Sequence, residues 1–347
     1  MKNYFLIILL IFIPKTAKMQ NYQREQYRIV TYNVENYFDN VDDPATADEE
    51  FLPDGVRHWT AARYKTKQVR IGKVIAAIGG WNPPPIVALC EVESKKSLVD
   101  LIHFSGLKTF DYQFVHYDSP DVRGVDVALL YRPKQFKIIY SKPIGIHFPN
   151  APEIKTRDVL FVKGSLPNGD TLNIFVCHLP SRLEGELESE NRRIFVAQTI
   201  RHQVDSLFAV NKNPNIIIMG DFNDYPDNKS IAQALDAENP TSANIESNKL
   251  YNLALPLHLA GEGTYKHAGQ WGMLDQFIIS GNLLNIENRF YTQPQEAHVF
   301  KPDFLLEPDE TDLGKKPFRT YNGYTYNNGY SDHLPLYVDF YIEDEDK

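Results

Sequence analysis

Short hydrophobic segments, rich in β-branched and aromatic residues, alternate with polar turns along most of the chain. This pattern is typical of strands separated by loops. The run at 86–90 is apolar throughout, as in a strand buried on both faces. Asn168 and Gly169 predict a hairpin turn between two of the strands. We predict strands at 27–32, 86–90, 112–117, 125–132, 136–141, 157–166, 172–177, 216–219, 273–279 and 336–341.

Two long helices are predicted, far apart in the sequence. The first follows Thr60, a suitable N-cap, and continues to residue 79, where Gly79 and Gly80 end it. Its apolar residues recur at helical spacing on one face: Ile71, Val74, Ile75 and Ile78. The second helix covers roughly 186–208. Strands outnumber helices and no linker or repeat divides the chain, so we expect one domain of layered sheets with helices outside.

The N-terminal segment has the pattern of an export signal. Lys2 precedes an apolar run at 4–13, and a polar Lys-Thr-Ala-Lys segment follows. The run is too short to span a membrane comfortably. We therefore expect a signal peptide at 1–19, a domain at 20–347 without a membrane span, and a periplasmic or secreted protein. A buried N-terminal strand is the alternative.

Composition limits the classes of partner. The net charge of −9 and the pI near 5.6 argue against tight, non-specific binding of nucleic acid through counterion release. They do not argue against an enzyme that holds one phosphate with a metal and an arginine. Cys90 and Cys177 are too few for a cysteine-rich zinc site. Buried thiols are the favoured interpretation, with a single disulfide as the alternative.

Polar residues with catalytic chemistry recur where the predicted strands end. Asp221 and Asn223 follow one strand and lie two apart, so their side chains can project from the same edge. Each such residue alone also fits ordinary turn chemistry. Their recurrence over the whole length favours a shared site. The residues are Asn33, Glu35, Glu91, His178, Asp221, Asn223, Asp332 and His333, with Asp275 inside a further strand.

This residue set indicates metal-assisted hydrolysis. Carboxylate and amide oxygens suit Mg²⁺, Mn²⁺ or Ca²⁺, and the lack of a Cys or His cluster disfavours structural zinc. A hard cation beside two histidines suits attack by water on a phosphoester. A metal-free acyl hydrolase using Ser181 and His178 is an alternative, but the chain lacks the Gly-x-Ser-x-Gly motif.

The order of the motifs resembles the endonuclease/exonuclease/phosphatase superfamily. The motifs are Asn-Val-Glu, Cys-Glu-Val-Glu, Gly-Val-Asp-Val-Ala-Leu-Leu-Tyr-Arg-Pro, His-Leu-Pro-Ser-Arg, Gly-Asp-Phe-Asn-Asp, Leu-Asp-Gln-Phe and Ser-Asp-His-Leu-Pro. The resemblance spans about 27–342. It implies an α/β, four-layer sandwich, in which two mixed β-sheets pack face to face with helices on the outside and the site lies at one end of the sheets.

The resemblance also implies roles for the metal-binding residues. Glu91 is expected to be the principal metal ligand, and Glu35 and Asp332 are expected to support the metal. Asn33 is expected to contact the metal's water shell or the substrate. The expected cofactor is Mg²⁺, with Mn²⁺ or Ca²⁺ as alternatives.

The resemblance implies a catalytic group as well. Asp221 and Asn223 are expected to position or activate the attacking water. His333, oriented by Asp275, is expected to be the general base or a phosphate-stabilising imidazolium. His178 is expected to bind a phosphate oxygen or to assist the leaving group.

Several positions depart from the deoxyribonuclease members of the superfamily. Glu93 stands where those members carry an arginine used on DNA. Asp126 is an inexact match for the carboxylate that pairs with the first histidine, His178, and a buried structural acid is the alternative. Arg123 and Arg182 are expected phosphate contacts, because the guanidinium fork matches phosphate; solvated arginines are the alternative.

The combined prediction is an exported, divalent-metal-dependent phosphoester hydrolase that favours phosphodiesters. The expected substrates are nucleic acid, a phospholipid or a sugar phosphate, and no stable protein partner is implied. A tyrosine-rich loop with Arg319, Tyr321 and Tyr324 is the expected substrate wall, with simple packing as the alternative. A catalytically silent binding module on the same fold is the competing function.

Overall fold

The computed structural model describes residues 24–183 and 185–343. The predicted signal peptide lies outside the described residues. Four α-helices are present in the described part, at α1 Ala61–Gly79, α2 Lys95–Phe104, α3 Glu186–Val210 and α4 Leu255–Leu259. Twenty strands are present in the described part. The first eight strands are β1 Arg24–Tyr37, β2 Ile86–Val92, β3 Gln113–His116, β4 Asp126–Tyr131, β5 Lys137–Ile144, β6 Val159–Ser165, β7 Thr171–His178 and β8 Asn215–Asp221. They continue with β9 Ala237–Glu238, β10 Leu250–Asn252, β11 Tyr265–His267, β12 Gln270–Gly272, β13 Asp275–Ser280, β14 Phe290–Tyr291, β15 Ala297–Val299, β16 Leu306–Pro308, β17 Lys315–Pro317, β18 Tyr321–Asn322, β19 Thr325–Tyr326 and β20 Leu336–Glu343.

Two seven-stranded sheets form the body of the molecule. The first has the order β14-β20-β1-β2-β4-β3, with β15 also paired to β20, and the second has the order β5-β6-β7-β8-β13-β10-β9. In the first sheet β1 and β2 are parallel while β20 is antiparallel to β1. In the second, β7 and β8 are parallel while β13 is antiparallel to β8. Both sheets are therefore mixed, as the sequence predicts.

The alternation of residues along β8 shows the layering. Ile217 and Met219 belong to the large core that also contains the first sheet, whereas Ile216 and Ile218 belong to the core beneath α3. Successive side chains of a strand point to opposite faces, so β8 lies between two apolar layers. On the far side of the first sheet, α1 and α2 bury their apolar faces in the large core. The predicted four-layer sandwich is confirmed.

Both long helices begin and end close to the predicted residues. The Thr60 side chain accepts a hydrogen bond from the backbone N–H of Arg63, 3.5 Å away, and caps α1. Gly80 ends the helix with φ of 57°, a conformation that glycine adopts without a Cβ penalty. The region 281–330 contains the small hairpins β16–β17 and β18–β19. In the described part of the chain, no helix combines the length and apolarity needed to cross a membrane.

Strand register collects the candidate residues at one end of both sheets. The parallel pair β1 and β2 places Asn33 opposite Cys90, the residue before Glu91. The parallel pair β7 and β8 places His178 opposite Asp221. Asp275 begins the antiparallel strand β13, also opposite Asp221. Because parallel strands end at the same edge, side chains far apart in sequence meet there.

Candidate active site

The backbone takes unusual conformations where the site strands end. Glu35, Asn36, Glu91 and Asn223 have φ between 49° and 65°, a region that non-glycine residues rarely adopt. The pairing of β2 with β4 shifts register between Cys90 and Val92, which is a bulge centred on Glu91. Bulges re-aim a side chain, and non-glycine residues in this region cost about 1–3 kcal/mol each. The rest of the fold therefore holds the candidate residues in strained positions.

Asp221 lies at the centre of the site. Its Oδ2 accepts a hydrogen bond of 2.9 Å from the Asn33 amide and lies 3.6 Å from His178 Nε2 and 3.7 Å from His333 Nε2. Its Oδ1 accepts a hydrogen bond of 2.8 Å from the Asn223 backbone N–H. Burial raises the pKa of Asp221 to about 7, although the neighbouring His333 acts in the opposite direction. A carboxylate with this pKa can exchange protons near neutral pH.

His333 is paired with a second buried carboxylate. Its Nδ1 lies 2.7 Å from Asp275 Oδ2, and both side chains are buried. Burial opposes the charged form, but the Asp275 and Asp221 carboxylates together raise the pKa of His333 well above its usual range. The Nε2 of an imidazolium then faces Asp221, where it can donate a hydrogen bond.

His178 has a different environment. It is buried, and its backbone carbonyl accepts a hydrogen bond from Arg157. Its Nδ1 has no hydrogen-bond partner among the described residues. Burial lowers the pKa of His178 well below its usual range, and the nearby Arg157 and Arg123 add to the effect. The pKa values of the two histidines that face Asp221 are therefore shifted in opposite directions, down for His178 and up for His333.

Asp126 does not pair with His178. Its Oδ1 accepts hydrogen bonds from the backbone N–H and the hydroxyl of Ser119, and its Oδ2 lies 3.2 Å from His116 Nε2. Of the two interpretations that the sequence left open, the buried structural acid fits and the pairing with His178 does not. The loop from Ser119 to Asp126 folds so that the Asp126 carboxylate contacts Ser119 at the start of the same loop, and not His178 on β7.

Glu91 presents the carboxylate proposed for the metal. One oxygen accepts a hydrogen bond of 2.7 Å from the Asn36 backbone N–H, and the other lies 3.5 Å from the Asn33 amide and 4.0 Å from His178 Nε2. Arg123 lies 3.8 Å from Glu91 and donates a hydrogen bond to the Asn36 side chain. Mg²⁺ commonly binds through one or two carboxylates and keeps several waters, so the Glu91 carboxylate is a suitable ligand for such a cation.

Glu35 and Asp332 share an arginine. The Glu35 carboxylate accepts a hydrogen bond of 2.6 Å from the Thr320 backbone N–H and lies 3.4 Å from Arg319 Nε. Arg319 Nη2 lies 3.0 Å from Asp332. The residues of the expected substrate wall therefore have different environments. Arg319 lies among the site carboxylates, whereas Tyr321 is buried and packs near Trp59.

Comparison with known proteins identifies the family. A sequence profile of the Endonuclease/Exonuclease/phosphatase family matches residues 28–342. The chain belongs to the endonuclease/exonuclease/phosphatase family. Members of the family hydrolyse phosphoester bonds, so the predicted class of enzyme and the resemblance seen in the motifs are both confirmed. A comparison with curated proteins gave no match.

Solved structures share the fold of this family member. A Bacteroides thetaiotaomicron protein of the endonuclease/exonuclease/phosphatase family is 14% identical, with a TM-score of 0.55, over 93% of this chain and 97% of that chain. The human Nocturnin catalytic domain with bound sulfate anion is 17% identical, with a TM-score of 0.51, over 91% and 97%. A Bacteroides thetaiotaomicron mannosyl-6-phosphatase is 14% identical, with a TM-score of 0.54, over 90% and 99%. At these identities the likeness concerns the fold.

In this family member Arg182 is engaged by the loop after β8. It donates hydrogen bonds to the Asn223 carbonyl at 2.6 Å, to Asp224 at 3.0 Å and to Asn228 at 2.7 Å. Its guanidinium also lies 4.5 Å from the centroid of the Tyr225 ring. Arg182 therefore supports the backbone of Asn223, and direct contact with substrate stays a prediction.

The residue that sequence reasoning missed is Lys67. It is buried, and its ammonium donates hydrogen bonds of 2.5 Å to the Thr320 hydroxyl and the Tyr330 carbonyl. Burial lowers the pKa of Lys67 to about 8, although Glu35 and Asp332 oppose this shift. One signal was present: Lys67 lies four residues before Ile71, on the apolar face of α1.

The two cysteines are buried free thiols, as favoured over a disulfide. The Cys90 thiol donates to the Cys177 carbonyl at 3.4 Å. Burial raises the pKa of both thiols. They are therefore packing residues beneath Glu91 and His178 rather than nucleophiles.

Two cavities flank Arg319. One of about 240 Å³ is lined by Glu35, Arg57 and Tyr321 among others. The other, of about 300 Å³, is lined by Tyr265, Asp332 and neighbouring residues. Arg319 lines both, so a substrate group in either cavity would lie beside its guanidinium.

Proposed function

We propose that this family member hydrolyses phosphodiesters by attack of a water molecule, with Mg²⁺ or Mn²⁺ held at Glu91. The observation that carries the proposal is the convergence of Asn33, His178 and His333 on one oxygen of Asp221, next to Glu91. This geometry brings a proton acceptor, hydrogen-bond donors and a metal-binding carboxylate to one place, as hydrolysis of a phosphoester requires.

The proposed steps use the following residues. Asp221 accepts the proton of the attacking water, because its pKa lies near 7. As the water oxygen bonds to phosphorus, the bond from phosphorus to the leaving oxygen breaks, and that oxygen takes a proton from solvent. His333, held by Asp275, donates a hydrogen bond to the phosphate from its Nε2. Neutral His178 donates a hydrogen bond from Nε2 to a phosphate oxygen, and Asn223 completes the set beside Asp221.

Several groups are also proposed to balance the negative charge of the phosphate. A cation at Glu91 would polarise the phosphate and offset its charge. Glu35 and Asp332 are proposed to support that cation, with Arg319 between them. Arg123, which lies 3.8 Å from Glu91, would contact a phosphate oxygen. Arg182 is proposed as a further contact at the same end of the sheets.

We also propose that the enzyme is exported, and that its substrates are nucleic acids, phospholipid head groups or sugar phosphates outside the cytoplasm. The net charge of −9 disfavours a long polyanion, which would need many cationic contacts. Small phosphodiesters are therefore the first choice. A phosphatase acting on sugar phosphates is the second, because one structural neighbour is a mannosyl-6-phosphatase.

A substrate panel tests this proposal. Bis-p-nitrophenyl phosphate, p-nitrophenyl phosphate, plasmid DNA, sphingomyelin and mannose 6-phosphate would be incubated with enzyme and Mg²⁺ or Mn²⁺, and with a chelator. We expect turnover of the diester, loss with the chelator, and a fall of at least about 100-fold in Glu91→Gln. Glu296→Gln, in the 3-10 turn Pro294–Glu296 directly before β15, is the matched control. A chain that turns over none of the substrates would refute the proposal.

A further inference from the structure

A second group of ligand atoms lies outside the active site, at the base of the loop between β3 and β4. His116 ends β3, Asp126 begins β4, and Asp118 lies in the loop. One ligand atom from each residue lies within 4.8 Å of the others. His116 pairs with Ala128, so Asp126, two residues earlier on β4, projects to the same face as His116.

His116 has one ring nitrogen, Nε2, without a hydrogen-bond partner among the described residues, while its Nδ1 lies 3.8 Å from Asp118 Oδ1. Its side chain is only 2% exposed, yet Nε2 makes no hydrogen bond to the described residues. Asp126 Oδ2 lies 3.2 Å away but off the N–H direction. Two ligands of one metal ion at about 2.1 Å each lie roughly 3.0 to 3.4 Å apart, with neither pointing at the other. The observed distance and orientation fit that arrangement.

Two further features lie beside the Asp126 carboxylate. Asp158 borders a small cavity together with Asp126 and Ser119, and its Oδ1 is buried without a hydrogen-bond partner in the described structure. Ser119 donates to the other oxygen of Asp126, which orients that carboxylate in the manner of the residues that support metal ligands.

A superficially similar group elsewhere lacks these features. Glu296, His298 and Asp339 also lie close together. There, however, both oxygens of Asp339 are occupied by the guanidinium of Arg28, at 2.7 Å each. That carboxylate already has a cationic partner, so the group serves here as a control rather than as a site.

We propose that His116, Asp118 and Asp126 bind a Zn²⁺ ion, with water completing the coordination. One imidazole with two carboxylates is a ligand set that Zn²⁺ accepts and that Mg²⁺, which prefers oxygen ligands alone, does not favour. The site is separate from Glu91 and does not depend on the proposed hydrolysis.

A Zn²⁺ ion at this position would affect the active site through the loop 117–125. The ligands lie at both ends of the loop 117–125, so the ion would join the two ends. The same loop carries Arg123, which contacts Glu91 and Asn36, and Asp121, which forms an ion pair of 2.9 Å with Arg157. Bound Zn²⁺ would therefore hold Arg123 in place.

Zn²⁺ titration of the metal-free full chain tests the proposal. The measurement uses calorimetry with Zn²⁺ and the visible absorption of Co²⁺, in the Glu91→Gln background so that the proposed active-site ion is not counted. We expect one ion per chain, at least about tenfold weaker binding after His116→Gln, and unchanged binding after His298→Gln. Hydrogen exchange of residues 117–125 should slow when Zn²⁺ is added.

A second variant, at an exposed ligand, keeps the test valid where His116→Gln, which replaces a buried side chain, fails to fold. Asp118 is 90% exposed, so Asp118→Asn should fold normally and still bind Zn²⁺ more weakly. Equal Zn²⁺ affinity in the Glu91→Gln protein with and without Asp118→Asn, or the absence of stoichiometric binding, would overturn the proposal. A failure of catalysis would leave this result unaffected.

Discussion

Gly220 occupies a position near the end of β8 that has no room for a side chain. Its φ is 139°, and an added Cβ would lie 1.9 Å from the Cys177 carbonyl oxygen. The close approach of β7 and β8 at this point brings His178 and Asp221 side by side. A single residue without a Cβ thus contributes directly to the geometry of the site.

Gly220→Ala should destabilise the protein by on the order of 2–4 kcal/mol, because backbone strain and a clash with another strand act together. Urea denaturation measures the change. Gly169→Ala is the control: its φ is 81°, but no other atom among the described residues lies within 4 Å of the added Cβ. It should cost only about 1–2 kcal/mol. Similar costs for both variants would contradict the role of the clash.

Asp275→Asn should lower the pKa of His333. The Asp275 and Asp221 carboxylates favour the imidazolium and burial disfavours it, so removing the Asp275 charge weakens the stabilisation of the charged form. In the metal-free protein, we expect His333 to lose its proton at a lower pH in the variant than in the parent. NMR titration of the ring C–H signal reports this. Asp303→Asn, on an exposed loop, should leave the titration unchanged; an identical pKa in Asp275→Asn would refute the pairing effect.

At the scale of elements, the site depends on buried charges that tie segments together. Asp224, directly after Asn223, forms ion pairs with Arg193 of α3 at 2.8 Å and with Arg182 at 3.0 Å, and it accepts a hydrogen bond from Ser230. Arg193 is fully buried. The helix therefore fixes the loop that presents Asn223.

Asp224→Ala should destabilise the fold by about 3–5 kcal/mol, because it leaves a buried guanidinium without its partner charge. Thermal and urea unfolding measure the effect. Asp205→Ala removes an exposed partner of Arg201 on the same helix and should cost less than about 1 kcal/mol. Equal losses of stability in the two variants would show that burial does not increase the contribution of the Asp224–Arg193 ion pair to stability.

Helix α1 holds the segment before Asp332 in a similar way. Lys67 binds Thr320 and Tyr330, Arg70 donates to the Gly329 carbonyl at 2.7 Å, and the Lys73 ammonium lies 4.3 Å from the centroid of the Phe304 ring. These cations follow one face of the helix at intervals of three residues. They connect α1 to the chain that carries Arg319 and Asp332.

Lys67→Met should loosen this segment, because two hydrogen bonds to it are lost. Hydrogen exchange of residues 318–331 is expected to become faster, with no change in β7 or β8. The exposed Lys65 on the same helix provides the control variant Lys65→Met. Unchanged exchange in Lys67→Met would mean that Arg70 and packing hold the segment without it.

At the scale of the whole molecule, cation binding and folding are linked. A ligand that binds only the folded state stabilises it by about 2.7 kcal/mol at a concentration one hundred times its Kd. We expect Mg²⁺ to raise the unfolding temperature of the parent chain, and this effect to vanish in Glu91→Gln. The effect should persist in His116→Gln, because that site favours Zn²⁺. A Mg²⁺ effect that survives Glu91→Gln would place the cation elsewhere.

The amino-acid sequence by itself determined ten of the strands, the two long helices and the residues at the strand ends, but not the short strands β9–β12 and β14–β19. Apolar periodicity, helix caps and glycine stops are local properties, so they can be read without knowing what lies opposite. The layered architecture followed from the number and order of the elements. Motif order pointed to the family for the same reason, since each motif occupies the end of one strand.

Only the tertiary structure decided which charges are paired. Arg319 lies between Glu35 and Asp332, Asp126 faces His116 instead of His178, and Lys67 is buried against Thr320. Each pairing joins segments that are brought together by turns and bulges, whose direction is set by packing. Charge partners act through space over a few ångströms, and the pattern of a single chain contains no measure of that distance.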